Sequence, residues 1–205
     1  MARWSVFVDA GVPVTVILLT LGELGIGPQR NETPNEMKIT RSKEFSNAMK
    51  YLRANGIAHD FGDLQLSFVP LKPVISEVVT DIRRKNCGVI FSFFDPLEYV
   101  DHPDHDKTGE IARFAAASSD VTYFHQEIEA LPSRPNLFVR TRDVSRATHM
   151  IPLSHSTIHH RTAYFEGFYP SQFPPDTVDK SEVIFDRLTS QENIPGKAEL
   201  YWNIR

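Results

Sequence analysis

Two histidines and three acids crowd one short stretch of the chain, Asp101-His102-Pro103-Asp104-His105-Asp106. Neutral imidazole ligates metals, and its charge changes near neutral pH, so one ring of a pair can hold a cation while the other acts as acid or electrophile. An aspartate between them can orient a ring through its second nitrogen. The stretch leaves an apolar run and enters a helix-forming one, the strand-to-helix position at which open α/β sheets bind ligands. A solvated, acid-rich helix cap with incidental histidines has the same composition, and the residue types alone leave both readings open.

A second chemically capable loop is Thr20-Leu21-Gly22-Glu23-Leu24-Gly25. A carboxylate at a strand end, Glu23, can hold a sugar hydroxyl or a metal-bound group; a plain surface glutamate is the alternative. Glycines at 22, 25 and 27 invite a nucleotide- or methyl-donor-binding reading. The dinucleotide fingerprint, however, needs a helix opening directly out of its glycines. Here Pro28 and Pro34 delay the helix and the glycine order is reversed, so a flexible loop is the favoured reading. His155 and His159 could share a helix face, but no third ligand lies nearby in sequence. Cys87, the single cysteine, excludes an internal disulfide and is read as inert beside a buried strand.

The elements that must position these residues alternate. Trp4, Phe7 and Val8 have helical spacing, with Ala10-Gly11 as a stop. Val14 to Leu19 reads as a strand covered on both faces. Thr33-Pro34-Asn35-Glu36 has the form of a capping box, opening a helix that runs through Phe45, Ala48, Met49 and Leu52 to Gly56. A second helix opens at Pro73, burying Val74, Ile75, Val78, Val79 and Ile82, and Val89 to Phe94 is a second buried strand. A third helix fits Lys107 to Ala117, with Ile111, Phe114 and Ala115 inward. Leu137 to Arg140 is a later strand, and Ser156 to Phe168 and Thr177 to Leu188 read as helices around a break at 169–175. The alternation predicts an α/β fold with a mainly parallel sheet.

The chain has 205 residues, 41% hydrophobic and 23% charged, which suits a single globular domain over 1–205. A net charge of −4 does not indicate a nucleic-acid surface. The longest apolar run, Val12 to Leu21, is too short to span a bilayer. No transmembrane segment and a cytoplasmic location are therefore expected.

In order and spacing these pieces resemble the LmbE-like (PIG-L) family of N-acetylglucosaminyl deacetylases. Ala10 to Glu23 looks like the family's second strand and its T-x-G-E turn. Arg41-x-x-Glu44-x-x-x-Ala48 is similar to the helix that follows. His102-Pro103-Asp104-His105-x-x-x-Gly109 resembles the second signature motif, and Arg161 through Tyr169-x-Ser171-Gln172 the C-terminal helix and S-Q turn. The resemblance implies a Rossmann-like three-layer sandwich and a zinc-dependent hydrolysis (zinc or another divalent metal) of the N-acetyl group of a small-molecule sugar conjugate. It implies that His105 is a metal ligand. It also implies that His102 polarises the acetamide carbonyl with Asp104 steering it, that Arg41 contacts substrate, and that Glu23 is a supporting or substrate-binding group. The family's H-P-D-D motif, with two ligands and the general-base aspartate, has no counterpart in the sequence. The expectation is that this motif and the first strand are missing, that the metal site is incomplete, and that the chain folds poorly or is inactive without upstream residues. A catalytically inactive remnant that binds a sugar conjugate or a partner protein is the alternative.

Overall fold

Helix α1 spans Pro34–Leu52 and begins where its cap dictates. The Thr33 hydroxyl accepts the Glu36 N–H at 3.3 Å, and the Glu36 carboxylate accepts the Thr33 N–H at 2.8 Å. The computed structural model describes residues 7–25, 31–93, 102–126, 128–131, 134–140, 149–153, 167–171 and 197–203. Within these the chain forms two compact units, Met1–Asp63 with Pro152–Glu199, and Leu64–Ile151 with Leu200–Arg205.

In the first unit, residues 7–9 close a helical turn. Gly11, at φ +77°, donates to the Val8 carbonyl, and Val12 donates to Phe7, the paired bonds of a Schellman stop. Strand β1 (Thr15–Leu18) follows, and β2 (Asn55–Ala58) pairs with it in parallel, Val16 opposite Gly56. The ladder continues past β2 through His59 N–H to Leu18 C=O and Phe61 N–H to Leu19 C=O. Val16, Phe45, Ala48 and Met49 form the buried cluster under α1, with Val14, Leu18, Leu52 and Phe168 packed against it.

Gly56 does not end α1. The helix stops at Arg53, left-handed at φ +54°, whose N–H and that of Ala54 reach Lys50 and Met49. Gly56 lies in β2 beneath the helix. A β-carbon there would sit 2.7 Å from Met49 Cγ and 2.9 Å from Phe45 Cε1, so glycine lets α1 close onto the ladder.

In the second unit, α2 is Leu71–Arg84, starting two residues before Pro73, and it buries Val74, Val78, Val79 and Ile82. Ile75 is half-buried. Strand β3 (Val89–Phe93) pairs in parallel with β4 (Thr122–Gln126). It is less buried than its composition suggests, since Val89 and Phe93 are exposed. Helix α3 (Pro103–Ser119) starts one turn earlier than expected, at the proline of the histidine motif. It packs against α2, β3 and β4, and Ala112, Ala116 and Tyr123 form a small buried cluster there. Phe114 does not point inward: it is exposed, with the Arg113 guanidinium 4.5 Å over its ring.

Strands β5 (Ile128–Leu131) and β6 (Arg134–Arg140) form an antiparallel hairpin with a register shift at Ala130/Leu131; β6 contains the expected strand at 137–140. Strands β7 (His149–Leu153) and β8 (Lys197–Asn203) complete the order β3-β4-β8-β7, β8 running antiparallel to β4. The architecture is α/β, as expected, with both central ladders parallel and antiparallel pairing added later in the chain. The expected helices at 156–168 and 177–188 lie outside the described residues, apart from 167–168, which are helical. Among the described residues no helix is long and apolar enough to cross a membrane.

Candidate active site

The histidine motif forms the N-terminus of α3. His102 is the N-cap, extended at φ −146°, and Pro103 follows at a position where its missing N–H leaves no helical bond unmade. The His102 carbonyl accepts the N–H groups of His105 at 2.9 Å and Asp106 at 3.2 Å. Its Nδ1 accepts the Asp104 N–H at 3.3 Å. With that lone pair engaged, the neutral ring carries its proton on Nε2, which makes His102 a hydrogen-bond donor at its outer nitrogen. The asparagine-like cap thereby favours that tautomer.

His105 lies in the first turn, half-buried. Its ring stacks on Phe93, the last residue of β3, at 4.4 Å and 10°, and its centroid is 4.9 Å from that of His102. The Tyr123 hydroxyl reaches the Phe93 carbonyl at 2.6 Å and the Gly109 carbonyl at 3.3 Å, tying the strand end to the helix. The histidine pair thus stands at the carboxyl end of a parallel strand.

Asp104 is 3% exposed. Its carboxylate accepts the Leu64 N–H at 2.7 Å and the Leu66 N–H at 3.3 Å. It meets His102 through its backbone N–H, so the carboxylate's work is to gather the turn at 64–66. That turn is strained: Leu64 sits at φ +61°, where a residue bearing a β-carbon is disfavoured by roughly 1 kcal/mol or more.

A separate polar cluster belongs to the first unit. After β1 the chain turns at Gly22 (φ +69°), with Gly25 N–H donating to the Gly22 carbonyl at 3.1 Å. Glu23 is buried, and its Oε1 accepts the Asp63 N–H at 3.0 Å. Asp63 reciprocates, its Oδ2 accepting the Leu24 N–H at 3.0 Å. Glu23 Oε2 is buried with no hydrogen-bond partner. Lys38 Nζ lies 3.7 Å from Glu23 Oε1 and donates to Asp60 at 2.7 Å. The Asp60 bond, aided by the Glu23 charge, holds the ammonium's pKa above its ordinary value.

Arg41 is buried on α1 and donates to the Gly25 carbonyl at 3.2 Å, with Nε 4.0 Å from Glu44 Oε2. Glu44 in turn accepts the Ser171 N–H at 2.9 Å and the Ser171 hydroxyl at 2.5 Å. Of this cluster, the sequence reading named Glu23 and Arg41 as site residues and missed Asp63 and the Glu44–Ser171 pairing. Glu44 and Ser171 each lay in a quoted motif, but nothing local says that two residues 127 positions apart share a bond.

A catalytic zinc site draws on three protein ligands. Among the described residues no three His, Cys, Asp or Glu side chains converge to hold an ion. His102 uses Nδ1 in its cap and Asp104 uses both oxygens on amides. The described residues therefore do not fit a zinc on their own. Cys87 is outside the site, and partial burial pushes its thiol pKa up, keeping it protonated.

The family model described as PIG-L, GlcNAc-PI de-N-acetylase, matches residues 3–116. A diacetylchitobiose deacetylase from Thermococcus kodakarensis is 28% identical over 151 residues, covering 66% of this chain and 55% of that protein. A probable N-acetyl-alpha-D-glucosaminyl L-malate deacetylase 2 from Bacillus anthracis is 33% identical over 122 residues, covering 55% of this chain and 50% of that protein. These matches span about half the length of the curated relatives. The solved structure of N,N'-diacetylchitobiose deacetylase from Pyrococcus horikoshii superposes with a TM-score of 0.74 over 99% of this chain and 77% of that one. At 17% identity that likeness speaks to the fold.

Proposed function

This chain belongs to the PIG-L family of GlcNAc-PI de-N-acetylases, and on that premise we propose that it hydrolyses the N-acetyl group of an N-acetylglucosamine-type conjugate. The observation that supports the reading is the Asp104 N–H on His102 Nδ1, which leaves the outer nitrogen of the neutral ring as a donor at a strand's carboxyl end. In the reaction a water oxygen bonds to the acetyl carbon, the C–N bond breaks, and acetate and a free amine result. Negative charge grows on the acetyl oxygen on the way, and the His102 Nε2–H is the group that meets it. Donors aimed at such a developing charge are worth about a hundred- to a thousandfold in rate.

His105, stacked on Phe93 beside this donor, is the ring assigned to a divalent cation, zinc in the first instance. Glu23 offers a buried carboxylate oxygen with lone pairs to spare, the chemistry that receives a sugar hydroxyl. Lys38, 3.7 Å from Glu23, sets the local charge beside it, and Arg41 is the further group assigned to contact substrate.

The test is acetate release from diacetylchitobiose and from N-acetylglucosaminyl malate, read together with the appearance of free amine. Equimolar acetate and amine, reduced at least a hundredfold by His102→Ala, is the expected result. Conjugate binding without acetate release assigns the chain to the alternative, a non-hydrolytic binding protein. For His105, metal analysis after chelation and zinc re-addition is decisive: His105→Ala must lower the bound zinc. Unchanged occupancy removes His105 from the ligand set.

A further inference from the structure

Tyr123 is buried in β4, opposite Ile90 of the parallel ladder. Its ring packs with Ala112 and Ala116 of α3, and those two with Gly109 are buried at three-and-four spacing, one face of the helix. A phenylalanine ring would fill that place as well. What tyrosine adds is a hydroxyl, and a buried hydroxyl is costly unless it is bonded. This one donates to the Phe93 carbonyl at 2.6 Å, with the Gly109 carbonyl of α3 at 3.3 Å as the weaker, second acceptor.

Phe93 ends β3 and is 39% exposed, so core packing holds its ring only in part. The ring nevertheless lies 10° from parallel to that of His105, centroids 4.4 Å apart, and the His105 centroid is 4.9 Å from that of His102. Phe93 is mounted on the strand, while both imidazoles are mounted on the N-cap and first turn of α3. The Tyr123 hydroxyl sits between these two mountings and bonds to the backbone of both. An unbroken series of contacts, all within the second unit, therefore runs from the phenol to the histidine pair.

We infer that Tyr123 is a positioning residue for this pair: its hydroxyl fastens the carboxyl end of β3 to α3, which keeps Phe93 against His105 and the His105 ring beside His102. This role rests on the deacetylase reading, in which the His102 Nε2–H meets the acetyl oxygen. Tyr123 acts through Phe93. A donor fixed before charge develops needs no reorganisation when it does, and a displacement of about 1 Å can cost about a hundredfold in rate.

The experiment compares the full-length wild type with Tyr123→Phe, Phe93→Leu and the double variant. It reads acetate release from diacetylchitobiose and the proton shifts of the His105 ring, assigned against His105→Gln. Tyr123→Phe is expected to lower kcat about tenfold or more at a KM within about twofold, the pattern of an interaction realised in the transition state. The His105 ring protons, shielded by the face of Phe93 in the wild type, should move downfield. Phe93→Leu, a change at a partly exposed side chain, should do the same. The double variant should be no slower than the slower single one, because both substitutions break one series of contacts. Wild-type kcat and ring shifts in folded Tyr123→Phe overturn the proposal, as do rate losses that multiply in the double variant. Phe93→Leu with wild-type kcat and shifts overturns it independently of whether Tyr123→Phe folds. All of these leave the deacetylase reading standing; a wild type that releases no acetate overturns that reading and the positioning role together.

Discussion

Replacing Asp104 by asparagine changes one oxygen for an amide group and leaves the volume of a buried side chain unaltered. In the wild type the two carboxylate oxygens accept the N–H groups of Leu64 and Leu66 at 2.7 and 3.3 Å. Asparagine has one oxygen and can accept one of them; its NH2 must then face the other N–H, donor against donor. A charge-assisted bond is worth about 1.5–3 kcal/mol, and a buried N–H left without a partner costs about 1–3 kcal/mol. The two overlap, and relaxation of Leu64 out of its strained conformation returns roughly 1 kcal/mol. The net loss is about 2–4 kcal/mol. For a chain of this size each kcal/mol lowers the melting temperature by about 2–4 °C, so a fall of roughly 5–15 °C is expected. Thermal melting by circular dichroism measures it, and urea unfolding checks it through a lower midpoint at unchanged slope. The backbone N–H that caps His102 survives the substitution, so the imidazole 15N shifts of His102 should keep the Nε2–H pattern. A variant that melts within a degree of wild type refutes the reasoning. Unchanged melting with altered His102 shifts would return the carboxylate to the role of steering that ring.

Two further substitutions probe the scaffold. Gly56→Ala would press a methyl to 2.7 Å from Met49 Cγ and 3.0 Å from Phe45 Cζ. Overpacking of this kind costs about 1–3 kcal/mol, and an unchanged midpoint in urea would mean that α1 does not bear on β2 as described. The capping box gives a pH signature. The Thr33 backbone and side-chain bonds hold the Glu36 carboxyl below its ordinary value of 4.5. A depressed carboxylate stabilises the fold above its unfolded-state value and loses that contribution as pH falls through the folded one. The stability difference between wild type and Glu36→Gln should therefore be present at pH 7 and close as the pH drops below 4.5; a gap that widens in acid contradicts the cap.

The sequence made helix starts legible where a cap and a proline stood together before an apolar stripe, as at Thr33-Pro34. The same pairing at His102-Pro103 is harder to read, because histidine is not a usual cap, and the apolar stripe alone places the start of α3 a turn late. The apolar runs at Val14 and Val89 marked their strands. Strand β2 was invisible: Asn55-Gly56-Ile57-Ala58 has no β-branched run, and its glycine looks like a helix stop until the helix above it is known. Phe114 sat at inward spacing but lies on the exposed side, since periodicity marks a stripe without saying how wide its cover is. The histidine motif was legible by residue type. The bonds of Asp104 to Leu64 and Leu66, like that of Glu44 to Ser171, depend on tertiary proximity and leave no local trace.

Ser171 silences a carboxylate that is otherwise sealed in the first unit, and it arrives late in synthesis. When α1 emerges from the ribosome, Glu44 has no serine to receive it for another 127 residues. The second unit, by contrast, is nearly continuous in the chain, from Leu64 to Ile151. Its helices and parallel pair can therefore consolidate first, because short loops close at lower entropic cost than long ones. The N-terminal ladder and its helix find their partners within residues 14–58, so what must wait for the late segment is the seal over Glu44.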